Sequence, residues 1–250
     1  MRITNELGLP EALVRAVQSD DYSKGEADFS ATELLRPAYQ WQLFQKHKDN
    51  PNLSEDVADR VWALLGKVAH KILEDHASKD VITEERLFRE IEVDGETYTV
   101  SGAMDVQMID GPEGTPVWLI NDWKVTSVGT LMYGEYPKDD WVRQLNIYQW
   151  LRGEPTQLQI TALLRDFKKS QVGKSWRGAK REHPDRPVKI VPIPSWTMAR
   201  TEDFIRERIR YLLAPNDGCT KEERWGNTRC KDWCAVAPFC PVWQEIELTK

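Results

Sequence analysis

The chain has 250 residues, of which 40% are apolar and 30% charged, and it carries a formal net charge of −6 at pH 7. These values are ordinary for a globular protein that buries a full core without disulfide support. The longest apolar runs, such as residues 117–120, are far shorter than the roughly 20 residues of a membrane-spanning helix. Because the first residues also lack an apolar signal core, we expect a cytoplasmic protein with no membrane partner.

The first third of the chain predicts two helices after a loosely packed arm at residues 1–28. Ser30 and Glu33 have the spacing of a capping box, which predicts a helix over residues 30–47. A second helix is predicted over residues 54–77, because acidic side chains occupy its first turn and apolar side chains recur at the helical period. The residues of this apolar stripe are Val57, Val61, Leu64, Val68, Ile72 and Leu73.

The remaining elements alternate between strands and helices. Residues 87–93 and 97–108 predict two strands joined by a tight turn at Asp94-Gly95, and residues 110–114 have the composition of another turn. The elements predicted after this turn are a central strand at 117–125, a helix at 138–151, strands at 158–164 and 188–193, and a helix at 201–213. This order predicts an α/β fold with a mixed central β-sheet flanked by helices.

The charge is unevenly distributed along the chain. Residues 165–189 contain nine basic and three acidic residues, a local balance of +6 that leaves −12 for the remainder. Such a segment fits local contacts with DNA, although a solvated surface loop is the alternative. The candidate DNA-binding residues in it are Lys168, Lys169, Lys174, Trp176 and Arg177. Most of the other tryptophans, such as Trp62 and Trp141, occupy periodic apolar positions and are predicted to be core residues.

Four short motifs place polar residues on the predicted elements. They are Gly66-x-x-x-His70, Gly102-x-x-Asp105, Asp122-x-Lys124 and Gln144-x-x-x-Tyr148. Because side chains alternate along a strand, Asp122 and Lys124 share one face. A surface ion pair contributes only about 0–1 kcal/mol, which hardly accounts for charges at the end of so apolar a strand. An aspartate within a strand, such as Asp105, is also unfavourable, unless Gly102 marks a turn or bulge.

The order of these motifs, with the opening residues 29–35, resembles the RecB-like branch of the PD-(D/E)XK nuclease superfamily, which includes phage-encoded and CRISPR-adaptation members. The resemblance covers residues 29–240 and implies a restriction-endonuclease-like core in a bacterial, archaeal or phage-infected cell. It implies an N-terminal arm at 1–28, a nuclease domain at 29–213 and a cysteine cluster segment at 214–250 packed on the nuclease core.

The resemblance also assigns roles to individual residues. It implies that the metal ligands are His70, Asp105, Asp122 and the backbone carbonyl of Trp123. Lys124 matches the catalytic lysine, and Gln144 and Tyr148 match the motif that lines the active site and helps to hold DNA. Two carboxylates bind a hard cation such as Mg²⁺ or Mn²⁺, and a histidine ligand favours Mn²⁺ without excluding Mg²⁺.

All four cysteines lie near the C-terminus, at Cys219, Cys230, Cys234 and Cys240. Their clustering indicates a metal or cluster site rather than a disulfide framework. Four thiolates can hold a [4Fe–4S] cluster or Zn²⁺, but the paired CxxC knuckles typical of zinc sites are absent from the sequence. The last three cysteines resemble those of cluster-containing RecB-like nucleases, whose fourth ligand commonly precedes the nuclease core. Here Cys219 is the remaining candidate, and buried free thiols are a further alternative.

These observations favour a metal-dependent DNA nuclease, most simply an exonuclease in recombination, repair or phage DNA processing that acts on single strands or duplex ends. A catalytically silent DNA-binding protein of the same fold is the first alternative. It is less favoured because no catalytic position is replaced in this sequence. A CRISPR-adaptation nuclease is the second, and it would require partner proteins, as would a recombination role.

Overall fold

A computed structural model of the chain describes residues 2–19, 23–78, 80–110 and 117–249. The strands are β1 (Arg2–Thr4), β2 (Phe29–Ser30), β3 (Ser54–Asp56), β4 (Ile82–Val93), β5 (Glu96–Asp110), β6 (Val117–Thr126), β7 (Thr156–Leu164) and β8 (Val188–Ile193). The helices are α1 (Glu11–Gln18), α2 (Ala38–His47), α3 (Val57–Asp75), α4 (Val128–Met132), α5 (Asp139–Arg152), α6 (Met198–Leu213), α7 (Thr228–Asp232) and α8 (Pro241–Leu248). Residues 111–114 of the turn predicted at 110–114 lie outside the described residues.

The chain divides into two compact units. The sheet unit comprises residues 24–35 and 65–205, and the cysteine unit comprises residues 1–23, 36–64 and 206–250. In the described parts of the chain, no helix is both long and apolar enough to cross a membrane.

The sheet unit contains a mixed six-stranded sheet, as the sequence predicts. The long hairpin β4–β5 closes at Asp94 and Gly95, whose φ angles of 55° and 90° are those of the favoured hairpin turn. β5 pairs antiparallel with β6, β6 runs parallel to β7, and β7 pairs antiparallel with β8. β2 adds a short parallel strand to β5. Among the described strands β8 pairs only with β7, so it forms an edge of the sheet.

Helix α5 packs against the sheet and is buried over the eight consecutive residues 144–151. Buried amide side chains fix its position. Asn146 accepts a hydrogen bond from the backbone N–H of Trp196 at 2.6 Å and donates one to the carbonyl of Pro194 at 3.0 Å. The amide nitrogen of Gln149 donates to the carbonyl of Trp196 at 2.9 Å. Since buried polar groups need such partners, these bonds select one orientation of the helix.

The cysteine unit has a small core of its own. Strands β1 and β3 pair in parallel, so the prediction of a loose arm at residues 1–28 is wrong in part, because β1 and α1 lie within it. The buried residues of this core are Leu43, Leu53 and Val236. The imidazole of His47 stacks on Phe239, with 4.4 Å between the ring centroids.

The two predicted N-terminal helices begin later than predicted. The capping box exists, since Ser30 and Glu33 exchange backbone-to-side-chain hydrogen bonds, but it closes a turn, and α2 begins only after Pro37. Proline lacks the N–H that a helix interior requires, so the helix cannot run through this position. Residues 54–56 form β3 rather than a helical turn, and Asp56 caps α3 by accepting the N–H of Ala58 at 3.0 Å.

The apolar stripe of α3 is only partly covered. Val57 is buried, whereas Val68 and Ile72 are 46% and 56% exposed. Trp62 is 51% exposed, so its prediction as a core residue is wrong, while Trp141 is buried as predicted. Helical periodicity identifies the apolar face of a helix but does not show whether another element covers it.

Candidate functional site

The candidate site lies where β5 and β6 separate. Their ladder ends at the pair Val106 and Asn121, so the next two residues in the same register, Asp105 and Asp122, lie just beyond it. The carboxylate of Asp105 accepts a hydrogen bond from the backbone N–H of Trp123 at 2.7 Å. A buried carboxylate therefore occupies the gap where ladder pairing stops.

Asp122 and Lys124 share a face of β6, as the sequence predicts. Asp122 is buried, and Nζ of Lys124 lies 2.5 Å from its Oδ2 atom. No described group other than Lys124 satisfies that oxygen. Burial opposes the charge of Lys124, but the carboxylates of Asp122 and Asp105 outweigh burial and raise the pKa of its ammonium group. Lys124 is therefore a positive charge held against a buried carboxylate.

His70 projects from α3 onto the same strands. Its Nε2 atom lies 2.9 Å from the backbone carbonyl oxygen of Trp123. Its Nδ1 atom lies 3.7 Å from Oδ2 of Asp105 and 3.9 Å from Oε1 of Glu84. The histidine, the carbonyl and one carboxylate of the predicted ligand set thus lie together, although they come from three different elements.

Glu84 is a member of this cluster that the four motifs do not include. Ligand atoms of His70, Glu84 and Asp105 all lie within 4.8 Å of one another. The sequence contained a signal that could have identified it. The Asp94-Gly95 turn fixes the register of the hairpin, and counting back from the turn places Glu84 directly opposite Asp105.

The electrostatics of the cluster centre on Asp105. Burial and the neighbouring Asp122 raise the pKa of its carboxyl to about 8, and Glu84 adds to the effect. The ammonium of Lys124 and the N–H of Trp123 act in the opposite direction. Several carboxylates in a buried site repel one another, so a cation among them would stabilise their ionised forms.

Gln144 and Tyr148 form a buried pair one helical turn apart on α5. The amide nitrogen of Gln144 donates a 2.7 Å hydrogen bond to the hydroxyl of Tyr148. A Cβ atom on Gly102 would lie 2.7 Å from the Tyr148 ring and 2.8 Å from Leu151. Gly102 pairs with Leu87 in a continuous ladder, so the alternative of a turn or bulge there is wrong. The glycine instead allows Tyr148 to pack directly on the strand that carries Asp105.

The basic segment leaves β7 at the end of the sheet where Lys124 stands. β6 and β7 are parallel and pair Lys124 with Ala162, and the N–H of Arg165 donates to the carbonyl of Thr126 at 3.0 Å. Apart from one 3₁₀ turn at Lys169–Gln171, the segment is irregular, as predicted. The candidate DNA-binding residues of the segment are all exposed: Lys168, Lys169, Lys174, Trp176 and Arg177. The four charged side chains among them make no salt bridge with another described residue.

All four cysteine side chains line one apolar cavity in the cysteine unit, together with Tyr39 and Leu43. Burial raises the pKa of Cys219 to about 12 and that of Cys234 to about 11, with nearby thiolates adding to the effect. Backbone N–H groups of Gln40 and Val236 point at the sulfurs of Cys219 and Cys234. No three of the four sulfur atoms lie within 4.8 Å of one another.

Comparison with known proteins identifies the family. The model of the PD-(D/E)XK nuclease superfamily matches residues 13–241, so the chain belongs to this superfamily. Membership implies nuclease activity, and nucleases of this superfamily usually use Mg²⁺ or Mn²⁺. No curated protein matches the chain in sequence.

Solved structures show the same fold. One is the "Crystal structure of SSO0001", which is 19% identical to this chain with a TM-score of 0.57. The alignment covers 92% of this chain and 94% of that one. The mixed sheet with flanking helices is therefore the restriction-endonuclease-like fold that the sequence predicts.

Proposed function

We propose that the chain is a metal-dependent DNA exonuclease of the RecB-like branch. The observation that supports this most directly is the cluster formed by His70, Asp105 and the carbonyl of Trp123, a residue that lies between Asp122 and Lys124 on β6. This set holds every residue type that hydrolysis of a phosphodiester requires, and the RecB-like resemblance of the four motifs supports the exonuclease assignment.

The donor set of the cluster fits a divalent cation. Carboxylate and carbonyl oxygens suit Mg²⁺ and Mn²⁺, and an imidazole nitrogen suits Mn²⁺. We propose that His70, Asp105, Asp122 and the carbonyl of Trp123 hold the ion. A bound ion would polarise the phosphate and lower the pKa of a water molecule.

The chain itself would supply the remaining parts of the reaction. Lys124 is held in its charged form by Asp122, so its ammonium can orient the attacking water or stabilise the negative charge that develops on the phosphate. Gln144 and Tyr148, fixed by their mutual hydrogen bond, would help to hold the DNA strand. The backbone N–H of Trp123 already holds the carboxylate of Asp105 in place. The orientation of Asp105 would therefore be set before the ion or the DNA binds.

The double variant Asp122→Ala/Lys124→Ala tests the catalytic assignment. We expect cleavage of end-labelled single- and double-stranded DNA with Mn²⁺ or Mg²⁺ to fall by about 10²–10³-fold or more, because single electrostatic contacts at an active site have effects of that size. Closed circular DNA should resist the wild-type protein if the activity is exonucleolytic.

The exposed pair Lys138 and Asp140, 3.2 Å apart, provides the matched control, since Lys138→Ala/Asp140→Ala removes the same charges elsewhere in the sheet unit. Wild-type cleavage by the Asp122→Ala/Lys124→Ala protein would show that this site does not catalyse the reaction. Inactive wild-type protein that still binds DNA would favour a silent DNA-binding protein.

We propose that the basic segment contacts the phosphates of the DNA. Its cations are exposed and lack salt-bridge partners among the described residues, and the segment starts at the end of the sheet where Lys124 lies. Replacing Lys168, Lys169, Lys174 and Arg177 with glutamine should reduce the slope of log K against log salt by about 0.7–0.9 per lost contact. Fluorescence anisotropy at several salt concentrations measures the slope. The variant Lys48→Gln/Lys221→Gln should leave it unchanged, and an unchanged slope in the segment variant would mean a solvated loop.

We further propose that the four cysteines hold a [4Fe–4S] cluster. They surround one cavity, and backbone N–H groups are directed at two of the sulfurs, an arrangement that supports bound thiolates. Anaerobically purified protein should be brown and contain about four irons per chain, whereas colourless protein with one zinc would contradict the cluster.

A further inference from the structure

We propose that Glu84 is a further ligand of the divalent ion, in addition to the side chains of His70, Asp105 and Asp122. This inference rests on the proposed metal-dependent function and adds a residue that lies outside the four motifs. The ion would then be bound by three carboxylates and one imidazole, drawn from β4, β5, β6 and α3.

The position of the Glu84 side chain supports this role. Its Oε1 atom lies 3.9 Å from Nδ1 of His70, and the possible ligand atoms of Glu84, His70 and Asp105 are within 4.8 Å of one another. A single ion can bridge groups at this spacing with modest side-chain movement, because oxygen ligands stand 2.0–2.6 Å from such ions. Asp105 lies between Glu84 on β4 and Asp122 on β6, so three carboxylates cross the sheet in one row.

The backbone at Glu84 has an unusual conformation. Its φ of 51° lies in the left-handed region, which a glutamate adopts only at a cost of roughly 1–2 kcal/mol. The ladder between β4 and β5 pairs Thr83 with Val106 and Glu85 with Met104, but the intervening pair, Glu84 and Asp105, is not bonded. Strand pairing therefore stops at Asp105 on both sides, towards β4 and towards β6. The residue opposite Asp105 is Glu84 on β4 and Asp122 on β6, so each side presents a carboxylate. Strained residues of this kind are concentrated at functional sites.

The Glu84 carboxylate is not held in place by a hydrogen bond from any described group. Its side chain is 37% exposed, and its cationic neighbours are His70 and Arg86. Its neighbour Glu85 differs in this respect. Glu85 accepts a 2.7 Å hydrogen bond from Gln107 and lies 3.6 Å from the guanidinium of Arg152, so it has a complete structural explanation.

Ion binding without DNA tests the proposal independently of catalysis. Mn²⁺ binding to the wild-type protein, Glu84→Gln and the matched control Glu85→Gln is measured by calorimetry, or by the electron paramagnetic resonance of free Mn²⁺. Removing residues that only support metal ligands costs 10–100-fold in affinity, so loss of a direct ligand should weaken binding by about 10-fold or more. Glu85→Gln should bind Mn²⁺ like the wild type.

A second variant guards against misfolding. Glu84→Gly removes the carboxylate and suits the left-handed backbone, so it should fold and show the same loss of Mn²⁺ affinity. Wild-type affinity in both Glu84 variants would overturn the role of Glu84 while leaving the proposed nuclease intact. A wild-type protein that binds no Mn²⁺ would overturn both proposals, and a loss of affinity in Glu85→Gln equal to that in Glu84→Gln would show a general effect of charge.

Discussion

The sheet unit and the cysteine unit each contain one candidate metal site, but the two sites are held in different ways. In the sheet unit the ligand strands belong to a six-stranded sheet, and Asp105 is fixed by the N–H of Trp123. In the cysteine unit, α7 carries Cys230 and has five residues, while Cys234 and Cys240 lie beside a three-residue 3₁₀ turn. The core cluster beside the cysteines is small, and its buried residues are Leu43, Leu53 and Val236.

The difference indicates what each metal contributes. Sheet hydrogen bonds position the carboxylates whether or not an ion is bound, so the proposed divalent ion would serve chemistry rather than folding. Short helices are only marginally stable by themselves, so the cysteine segment depends on tertiary links. A group bound by four thiolates would supply those links, as in small metal-dependent domains.

The largest change in stability is expected from replacing a cysteine. Cys234→Ala should lower the free energy of unfolding by about 4 kcal/mol or more, the range produced by loss of a structural metal. Thermal and urea unfolding, followed by circular dichroism together with metal analysis, measures the change. Lys138→Ala/Asp140→Ala, which removes an exposed ion pair, is the control from the sheet unit and should remain close to wild type in stability. Full stability and normal metal content in Cys234→Ala would remove the proposed contrast between the units.

A smaller loss of stability is expected at the contact between Gly102 on β5 and Tyr148 on α5 in the sheet unit. Gly102→Ala would force a methyl group against Tyr148 and Leu151, and such overpacking costs typically about 1–3 kcal/mol. Gly66 on α3 is the matched control, because no atom lies within 4 Å of a Cβ placed there. Gly66→Ala should therefore raise stability by up to about 1 kcal/mol through helix propensity. If both variants shift the urea midpoint in the same direction, the packing of Tyr148 on Gly102 does not explain the glycine.

The sequence predicts the sheet well because its signals there are local. The Asp94-Gly95 turn fixes the β4–β5 hairpin, and the apolar run of β6 ends in the polar Asp122 and Lys124. The motifs carry His70 and Asp105, which the structure brings together. Their functional roles, like those of the cysteines and the basic segment, remain predictions.

Other features depend on long-range packing and could not be predicted in the same way. Residues 36–64 belong to the same unit as residues 206–250, although the two stretches are at least 142 positions apart in the sequence. The exposure of Trp62 and Val68 on α3 likewise depends on which elements cover the helix. Glu84 is the exception, because the hairpin register places it opposite Asp105, but no motif directs attention to it.

Strand β8 bears on how readily two copies of the chain would pair through their backbones. As an edge strand it offers unpaired backbone groups to any neighbouring chain, and its side chains at Val188 and Ile190 are 44% and 57% exposed. Exposed apolar edges favour intermolecular β-pairing and aggregation. Lys189 lies between them in sequence and places a charge on the opposite face of the strand, and Pro192 removes one donor from the strand. Charges and prolines of this kind oppose aggregation in edge strands, so we expect replacement of both by β-branched residues to reduce colloidal stability while both candidate metal sites stay intact.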